Sequence, residues 1–200
     1  PTKRLRRLRI SEKMRDLVQE TRLSPKDFIC PVFVQEDLKE RVKVESMTEI
    51  ERLPIEDIND EVQTIIDLGI PAIMLFGIPT QKDEAGTSAF EDNGIVQRAI
   101  SQIKEKFGDK IVIMADVCLC QFTSTGHCGI ISGDKIDNDI SLDTLSKIAV
   151  SLAKSGVDTV SPSAMMDGQV AAIRKALDEK GYTDVSIMSH SAKHRSNFYA

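Results

Sequence analysis

Aromatic residues are scarce in this sequence: its 200 residues include no tryptophan and two tyrosines, and aromatics make up 4% of the chain. No apolar run approaches the roughly 20 residues of a membrane-spanning helix, so we expect no membrane span. The basic N-terminus lacks the apolar stretch and the small-residue cleavage site of a secretory signal. Four cysteines are too few for a disulfide scaffold at this length. These absences predict a cytoplasmic protein in a reducing compartment.

The composition is otherwise that of a soluble globular protein, with 41% hydrophobic and 28% charged residues. The formal net charge is −5, yet the first ten residues hold five cations and no acidic residue. We predict no nucleic-acid partner, because the acidic remainder would repel phosphate and no stacking aromatics accompany the cations. We expect this basic arm to pair with an acidic surface of its own subunit or of a neighbour. The cations are Lys3, Arg4, Arg6, Arg7 and Arg9.

Short apolar strands alternate with amphipathic helices, a pattern typical of parallel α/β folds. The predicted strands cover residues 28–34, 72–77, 111–120, 159–163 and 185–191. The predicted helices cover residues 11–20, 55–68, 95–107, 142–155 and 169–180, and each of the last four ends at a glycine. Strand counting alone favours a five-stranded, doubly wound open sheet, since a (β/α)8 barrel needs eight strands and about 250 residues. No glycine-rich phosphate-binding motif follows any of the strands.

The most informative segment has the spacing C-x-C-x7-C and contains Cys118, Cys120 and Cys128. If the strand continues through residue 120, Asp116 and the first two cysteines project from one face, and the following loop can return the third cysteine to them. Three thiolates bind Zn²⁺ and leave one position open, as in catalytic zinc sites. Packing of buried cysteines and redox chemistry are the alternatives. His127 is either a fourth ligand or a group that hydrogen-bonds to the ligands.

A second candidate group is Lys193, which follows the predicted strand over residues 185–191. Ser189, Ser191 and Lys193 share one face by strand alternation. Desolvation lowers the pKa of a lysine and leaves a neutral amine that can attack a carbonyl. A solvent-facing lysine just past the strand end is the alternative interpretation. Ser163, at the end of the preceding strand, offers a hydroxyl at the same rim.

Together these motifs strongly resemble those of the 5-aminolevulinate dehydratase (porphobilinogen synthase) family, over essentially the whole chain. The resemblance implies an α/β fold, a (β/α)8 TIM barrel with an N-terminal arm, of which this chain holds about the first five βα units. Residues 1–20 would form the basic arm and helix, and residues 21–200 would form the partial barrel with strands 1–5. The motifs that carry the resemblance are Arg6-Arg7-Leu8-Arg9, Phe76-Gly77-Ile78-Pro79, Lys82-Asp83, the cysteine segment 116–129, Asp137-Asn138-Asp139, Pro162-Ser163, Met166-Asp167-Gly168, Met188-Ser189 and Ser191-Ala192-Lys193.

The resemblance also implies an activity, the condensation of two 5-aminolevulinate molecules to porphobilinogen in tetrapyrrole (haem) biosynthesis. It implies a homo-octamer in which the arm embraces a neighbouring subunit, and it leaves open an allosteric Mg²⁺. The implied roles are catalytic Zn²⁺ binding by Cys118, Cys120 and Cys128, Schiff-base formation by Lys193, proton transfer by Asp116 and substrate binding by Ser163.

The chain departs from the family pattern at several positions, including His190 and Phe122, where the family has tyrosine, and Thr125, where it often has histidine. His194 and Arg195 follow Lys193, where the family has an aromatic and then a small residue. The family also continues beyond the point that matches Ala200, into strands that carry a second Schiff-base lysine and the groups that bind the substrate carboxylates. We therefore expect the 200-residue chain alone to be inactive and to aggregate through open sheet edges. The competing hypotheses are a class I aldolase-like barrel that uses Lys193 alone and an assembly-only homologue without activity.

Overall fold

The computed structural model describes residues 1–192, and within that range the chain forms nine strands and five α-helices. The strands are β1 (Ile29–Gln35), β2 (Val42–Lys43), β3 (Glu51–Leu53), β4 (Ala72–Ile78), β5 (Val112–Val117), β6 (Ile131–Ser132), β7 (Lys135–Ile136), β8 (Thr159–Pro162) and β9 (Ser186–Ile187). The helices are α1 (Glu12–Val18), α2 (Ile58–Asp67), α3 (Ile95–Phe107), α4 (Asn138–Lys154) and α5 (Gln169–Glu179).

Seven of the strands in the described residues form one sheet, in the order β2-β3-β1-β4-β5-β8-β9. Strands β4, β5, β8 and β9 are added in turn on one side of β1, each parallel to its neighbour, while β3 and β2 extend the sheet on the other side of β1. A doubly wound sheet would reverse its direction of growth, whereas winding in one direction leaves all connecting helices on one face. That arrangement is the one found in a (β/α)8 barrel. The open sheet favoured by strand counting is therefore wrong, and the partial barrel is confirmed.

The hydrophobic core lies between the sheet and the helices. Alternate residues of each strand point toward the helices, because side chains of a strand alternate between its two faces. Helix α3 covers β1 and β4, α4 covers β5 and β8, and α2 to α5 pack side by side. Burial of this face explains the apolar runs that indicate the strands in the sequence. The buried strand residues on this face are Val32, Val34, Ile73, Leu75, Ile113, Ala115, Val117 and Val160.

The opposite face of the sheet corresponds to the inside of the barrel. Phe33 and Phe76 pair in register on β1 and β4, and their rings stack with centroids 4.9 Å apart. Asp116 on β5 pairs in the same way with Ser161 on β8. Polar groups therefore lie on the inner face toward the C-terminal ends of the strands, which is where barrel enzymes place their catalytic residues.

Several element boundaries differ from those predicted from the sequence. Strand β5 ends at Val117 rather than at residue 120. Helix α4 begins at Asn138 rather than at residue 142, because the Asp137 side chain accepts a hydrogen bond from the Ile140 N–H and caps the helix. Strand β9 is shorter than predicted, although the His190 N–H still bonds to the Pro162 carbonyl beside β8.

Four strands were not predicted from the sequence at all. β2 pairs antiparallel with β3, β3 extends the sheet beside β1, and β6 and β7 form a separate hairpin. Each contains only two or three residues, too few to show an apolar or alternating pattern. The predicted helix ends agree better, since Gly69 and Gly156 follow α2 and α4 with φ of +77° and +98°.

The N-terminal segment lies largely outside the core. Ser11 caps α1 by accepting a hydrogen bond from the Met14 N–H, but α1 has no buried residue. Leu5 and Ile10 are 86% and 75% exposed, and Leu17 is similarly open. None of the helices in residues 1–192 is both long enough and apolar enough to cross a membrane.

Candidate active site

The three clustered cysteines meet at the C-terminal end of β5. Cys118 is buried, Cys120 and Cys128 are half-buried, and the three sulfur atoms lie within 4.8 Å of one another. The Sγ atoms of Cys118 and Cys120 are 3.5 Å apart. None of the cysteines in the described residues forms a disulfide. The chain therefore brings these three thiols together, as the spacing predicts.

The local structure behind this cluster differs from the prediction. Both cysteines lie beyond the end of β5. Cys118 directly follows Val117, and Cys120 lies in the turn in which the Phe122 N–H bonds to the Leu119 carbonyl. Strand alternation is therefore not what aligns the two sulfurs. The Leu119 and Phe122 side chains are buried instead, and they fix the turn in the core.

The loop after β4 supports this turn from one side. The Ser124 N–H donates to the Asp83 carbonyl at 2.9 Å. A Cβ added to Gly86 would lie 2.7 Å from a methyl group of Leu119, so the two loops are in close contact. Gly86 also has a φ of +64°, which a glycine adopts without strain.

The donor set of the cluster fits a divalent soft metal such as zinc. The Cys118 and Cys128 sulfurs, together with burial, raise the pKa of Cys120 far above its ordinary value. For Cys118, the hydrogen bond with Cys120 lowers the pKa, but the Cys128 sulfur and burial outweigh it. Three close thiols resist ionisation because their thiolates would repel one another, and a bound divalent cation removes that repulsion. His127 is exposed and does not belong to the cluster.

Asp116 lies beside the cluster on the inner face of β5. Its Oδ1 accepts a 2.6 Å hydrogen bond from the Ser163 hydroxyl, and its Oδ2 accepts a 3.2 Å bond from the Gln121 amide. Burial raises the pKa of Asp116 to about 6, against the opposing effect of these hydrogen bonds. A carboxyl group with such a pKa can hold or release a proton near neutral pH.

Gln121 connects this carboxyl group to the cysteines. Its amide nitrogen donates to Asp116, while its amide oxygen lies 3.5 Å from the sulfur of Cys120, which donates to it. Sequence reasoning missed Gln121, although its position next to Cys120 was the available signal. The cysteine cluster and the Asp116–Ser163 pair therefore form one continuous polar site.

The ends of β8 and β9 complete the described part of the rim. The Ser161 hydroxyl donates to the Met188 carbonyl at 2.7 Å, so it holds the end of β9 in place. The charge of His190 acts on Asp116 and lowers its pKa, in opposition to burial. Lys193 lies outside the described residues, and its position relative to the cysteines stays a prediction.

Two further motifs meet at this rim. The Asn138 side chain accepts a 2.8 Å hydrogen bond from the Asp167 N–H and donates a 3.2 Å bond to the Asp167 carbonyl. Asn138 begins α4, and Asp167 lies in the loop after β8 that also contains Ser163. These two bonds tie the first turn of α4 to that loop.

The direction of winding and the rim site place this chain in the class of (β/α)8-barrel proteins, whose active sites lie at the C-terminal ends of the strands. The family model for delta-aminolevulinic acid dehydratase matches residues 2–200. The chain belongs to the delta-aminolevulinic acid dehydratase family.

Individual relatives show the same similarity. The chain is 48% identical over 196 residues to delta-aminolevulinic acid dehydratase of Bacillus subtilis and 51% identical over 197 residues to that of Halalkalibacterium halodurans. Each alignment covers 98% of this chain and 60% of the relative, so the chain spans about three fifths of their length.

A solved structure gives the same result for the fold. The chain is similar to delta-aminolevulinic acid dehydratase (porphobilinogen synthase) of Toxoplasma gondii, solved in complex with the reaction product porphobilinogen. The TM-score is 0.94 at 40% identity, over 98% of this chain and 56% of that one.

Proposed function

We propose that the protein carrying this chain condenses two molecules of 5-aminolevulinate to porphobilinogen, with loss of two waters, in tetrapyrrole (haem) biosynthesis. The observation that carries this proposal is the location of three sulfurs within 4.8 Å of one another, connected through Gln121 to the hydrogen-bonded Asp116 and Ser163. Family membership and the porphobilinogen bound to the Toxoplasma gondii relative support the same reaction.

Cys118, Cys120 and Cys128 would bind zinc. When bound, zinc supplies a Lewis acid that polarises a substrate oxygen or a water molecule. Cys118 is buried and would close one side of this site, and the half-buried residues Cys120 and Cys128 would leave its other side accessible.

Asp116 would carry protons in the reaction. The Ser163 hydroxyl holds Oδ1 at 2.6 Å, and the Gln121 amide contacts Oδ2 at the longer distance of 3.2 Å. Oδ2 would therefore be the oxygen that exchanges a proton. Ser163 would also contact substrate, because its hydroxyl lies on the same rim. Lys193 would form the Schiff base: its amine adds to the substrate ketone and water leaves, so that the neighbouring carbon becomes acidic enough to lose a proton.

The N-terminal arm would mediate assembly into a homo-octamer. Leu5, Ile10 and Leu17 expose apolar surface, and the cations of residues 1–10 accompany them. Such a segment loses its exposed apolar area when it packs on an acidic neighbouring subunit. Light scattering of the full-length protein with and without residues 1–10 tests this, and an unchanged mass would contradict it.

A cytoplasmic location would follow from the chemistry of the cysteine cluster, because the thiols must stay reduced to bind metal.

The zinc assignment is tested by one pair of variants in the full-length protein. We expect Cys118→Ala to lose both bound zinc, measured by elemental analysis, and porphobilinogen formation. Cys30→Ala is the matched control, because Cys30 lies on β1 and is not a member of the cluster. Equal zinc content and turnover in both variants would contradict the proposed site.

The Schiff base is tested by trapping with borohydride in the presence of 5-aminolevulinate. Reduction converts the imine to a stable secondary amine, and mass spectrometry should locate the added mass on the peptide that contains Lys193. Lys193→Ala should abolish this adduct, whereas Lys147→Ala, on α4, should keep it. Trapping of sugar aldehydes but not of 5-aminolevulinate would favour the aldolase-like alternative.

A further inference from the structure

Different contacts hold the chain on the two sides of Cys128. Residues 124–127, which precede it, are all exposed. Gly129, which follows it, is buried, and a Cβ added there would lie 2.6 Å from Ile136 Cγ2 and 2.9 Å from the Ser141 hydroxyl oxygen. Before Cys128, the buried Thr123 hydroxyl donates to the His127 carbonyl at 2.9 Å. After Cys128, the chain has a fixed point in close contact with α4, whereas Cys118 and Cys120 are fixed by the end of β5 and the turn that follows.

Ser141, in the first turn of α4, is the centre of this fixed point. Its side chain has no solvent exposure, and its hydroxyl donates to the Asp137 carbonyl at 2.6 Å and accepts from the Ile130 N–H at 2.9 Å. The Asp137 N–H in turn donates to the Ile130 carbonyl at 2.8 Å. Both backbone groups of Ile130 are thus bonded to the start of α4, two residues after Cys128.

We propose that Ser141 is a positioning residue for the metal site, and that its hydroxyl holds residues 129–130 so that the Cys128 sulfur reaches the other two. This inference rests on the proposed binding of metal by the three cysteines. Without the hydroxyl, the half-buried Ile130 N–H loses its partner, and the chain after Cys128 can leave α4 to regain a hydrogen bond with water. Cys118 and Cys120 would stay in place, so metal binding would weaken without being abolished.

The test compares zinc affinity, by competition with a chromogenic chelator, in full-length wild type, Ser141→Ala and Ser141→Thr. We expect Ser141→Ala to bind zinc about 10-fold to 100-fold more weakly, the usual effect of losing a group that orients a metal ligand. Ser141→Thr keeps the hydroxyl and should bind like the wild type. Ser155→Ala is the matched control, since the Ser155 hydroxyl bonds to the Ser151 carbonyl at the far end of α4.

Cobalt substitution separates positioning of Cys128 from general loosening of the fold. In Ser141→Ala the sulfur-to-cobalt charge-transfer absorption should fall by about one third, because one of three thiolates no longer binds. Unchanged affinity in folded Ser141→Ala, or weaker binding with undiminished charge-transfer absorption, would overturn the inference while leaving the proposed function intact. Wild-type protein that binds no metal would overturn both.

A second variant covers the case in which Ser141→Ala fails to fold. Gly129→Ala keeps the Ser141 hydroxyl but adds a methyl group that pushes residue 129 away from it. The same loss of affinity and of charge-transfer absorption is expected. Wild-type values for this variant would contradict the role of the contact.

Discussion

The Ser163 hydroxyl and Oδ1 of Asp116 are 2.6 Å apart, although the two residues are 47 positions apart in the sequence and lie at the ends of neighbouring strands. A bond this short between a hydroxyl and a carboxylate is a charge-assisted hydrogen bond. It fixes the orientation of a carboxyl group whose pKa burial raises to about 6. The geometry therefore holds Oδ1 through the shorter bond, whereas Oδ2 accepts the longer, 3.2 Å bond from the Gln121 amide.

Asp116→Asn should lower porphobilinogen formation by roughly 10²-fold to 10⁴-fold, the usual contribution of a general acid or base. The amide cannot take up or release a proton at the reacting carbon. Asp92→Asn is the control, because Asp92 is an exposed residue that pairs with Lys154 on the helical side. Steady-state assays of the full-length variants check this, and equal losses in both would refute a specific role for Asp116.

Zinc should raise the thermal midpoint of the wild-type protein, because a ligand that binds only the folded state stabilises it. At a free zinc concentration about 100 times Kd, the expected gain is roughly 2.7 kcal/mol. Cys120→Ala should show little of this gain, and Cys30→Ala should show all of it. The measurement is a thermal melt with and without added zinc after removal of metal by a chelator. A zinc-dependent rise in Cys120→Ala equal to that of the wild type would place the metal elsewhere.

Leu75→Ala should destabilise the protein by about 2–5 kcal/mol, because it opens a cavity between β4 and the helices. Leu75 has no solvent exposure, whereas Leu68, at the end of α2, is 62% exposed. Leu68→Ala should therefore change the free energy of unfolding by no more than about 0.5 kcal/mol. Urea denaturation of the two variants measures the contrast, and similar effects would be inconsistent with the sheet face assigned to the core.

Glu36, at the C-terminal end of β1, should make stability depend on acidity. Burial alone would raise its pKa, but the hydroxyl and N–H of Thr80 and the charge of Arg98 outweigh burial and lower it. Because the pKa is lower in the folded protein than in the unfolded chain, ionised Glu36 stabilises the fold fully at pH values above the ordinary carboxyl pKa. This stabilisation is lost as the pH falls through the lowered pKa of the folded protein.

Glu36→Gln takes up no proton at this position. Its free energy of unfolding should therefore be lower than that of the wild type near neutral pH, and the difference should shrink as the pH falls. Because the site is partly exposed, we expect the free energies of unfolding of the two proteins to differ by about 0.2–1 kcal/mol near neutral pH. Denaturant midpoints of both proteins over a series of pH values check the prediction. If the denaturant midpoints of both proteins changed equally with pH, Glu36 would make no pH-dependent contribution to stability.

Much of the fold was accessible from the sequence because its signals are local. The five parallel strands and the helices appear as apolar runs and helical periodicity, and Gly69 and Gly156 mark helix ends as predicted. The motif that identifies the family was equally visible in the spacing of the cysteines. The interpretation of that spacing was less successful: the turn after Val117, and not the pleat of a strand, brings Cys118 and Cys120 together.

The sequence by itself determined the alternation of strands and helices, the family and the three clustered thiols, since each is encoded in neighbouring residues. Only the tertiary structure decided that β4, β5, β8 and β9 are added in turn on one side of β1, because strands buried on both faces have the same apolar pattern in a barrel and in an open sheet. It likewise decided that Gln121 joins Asp116 to Cys120 and that Ser141 holds the chain after Cys128. Hydrogen bonds between distant segments depend on how those segments pack, and no local pattern records them.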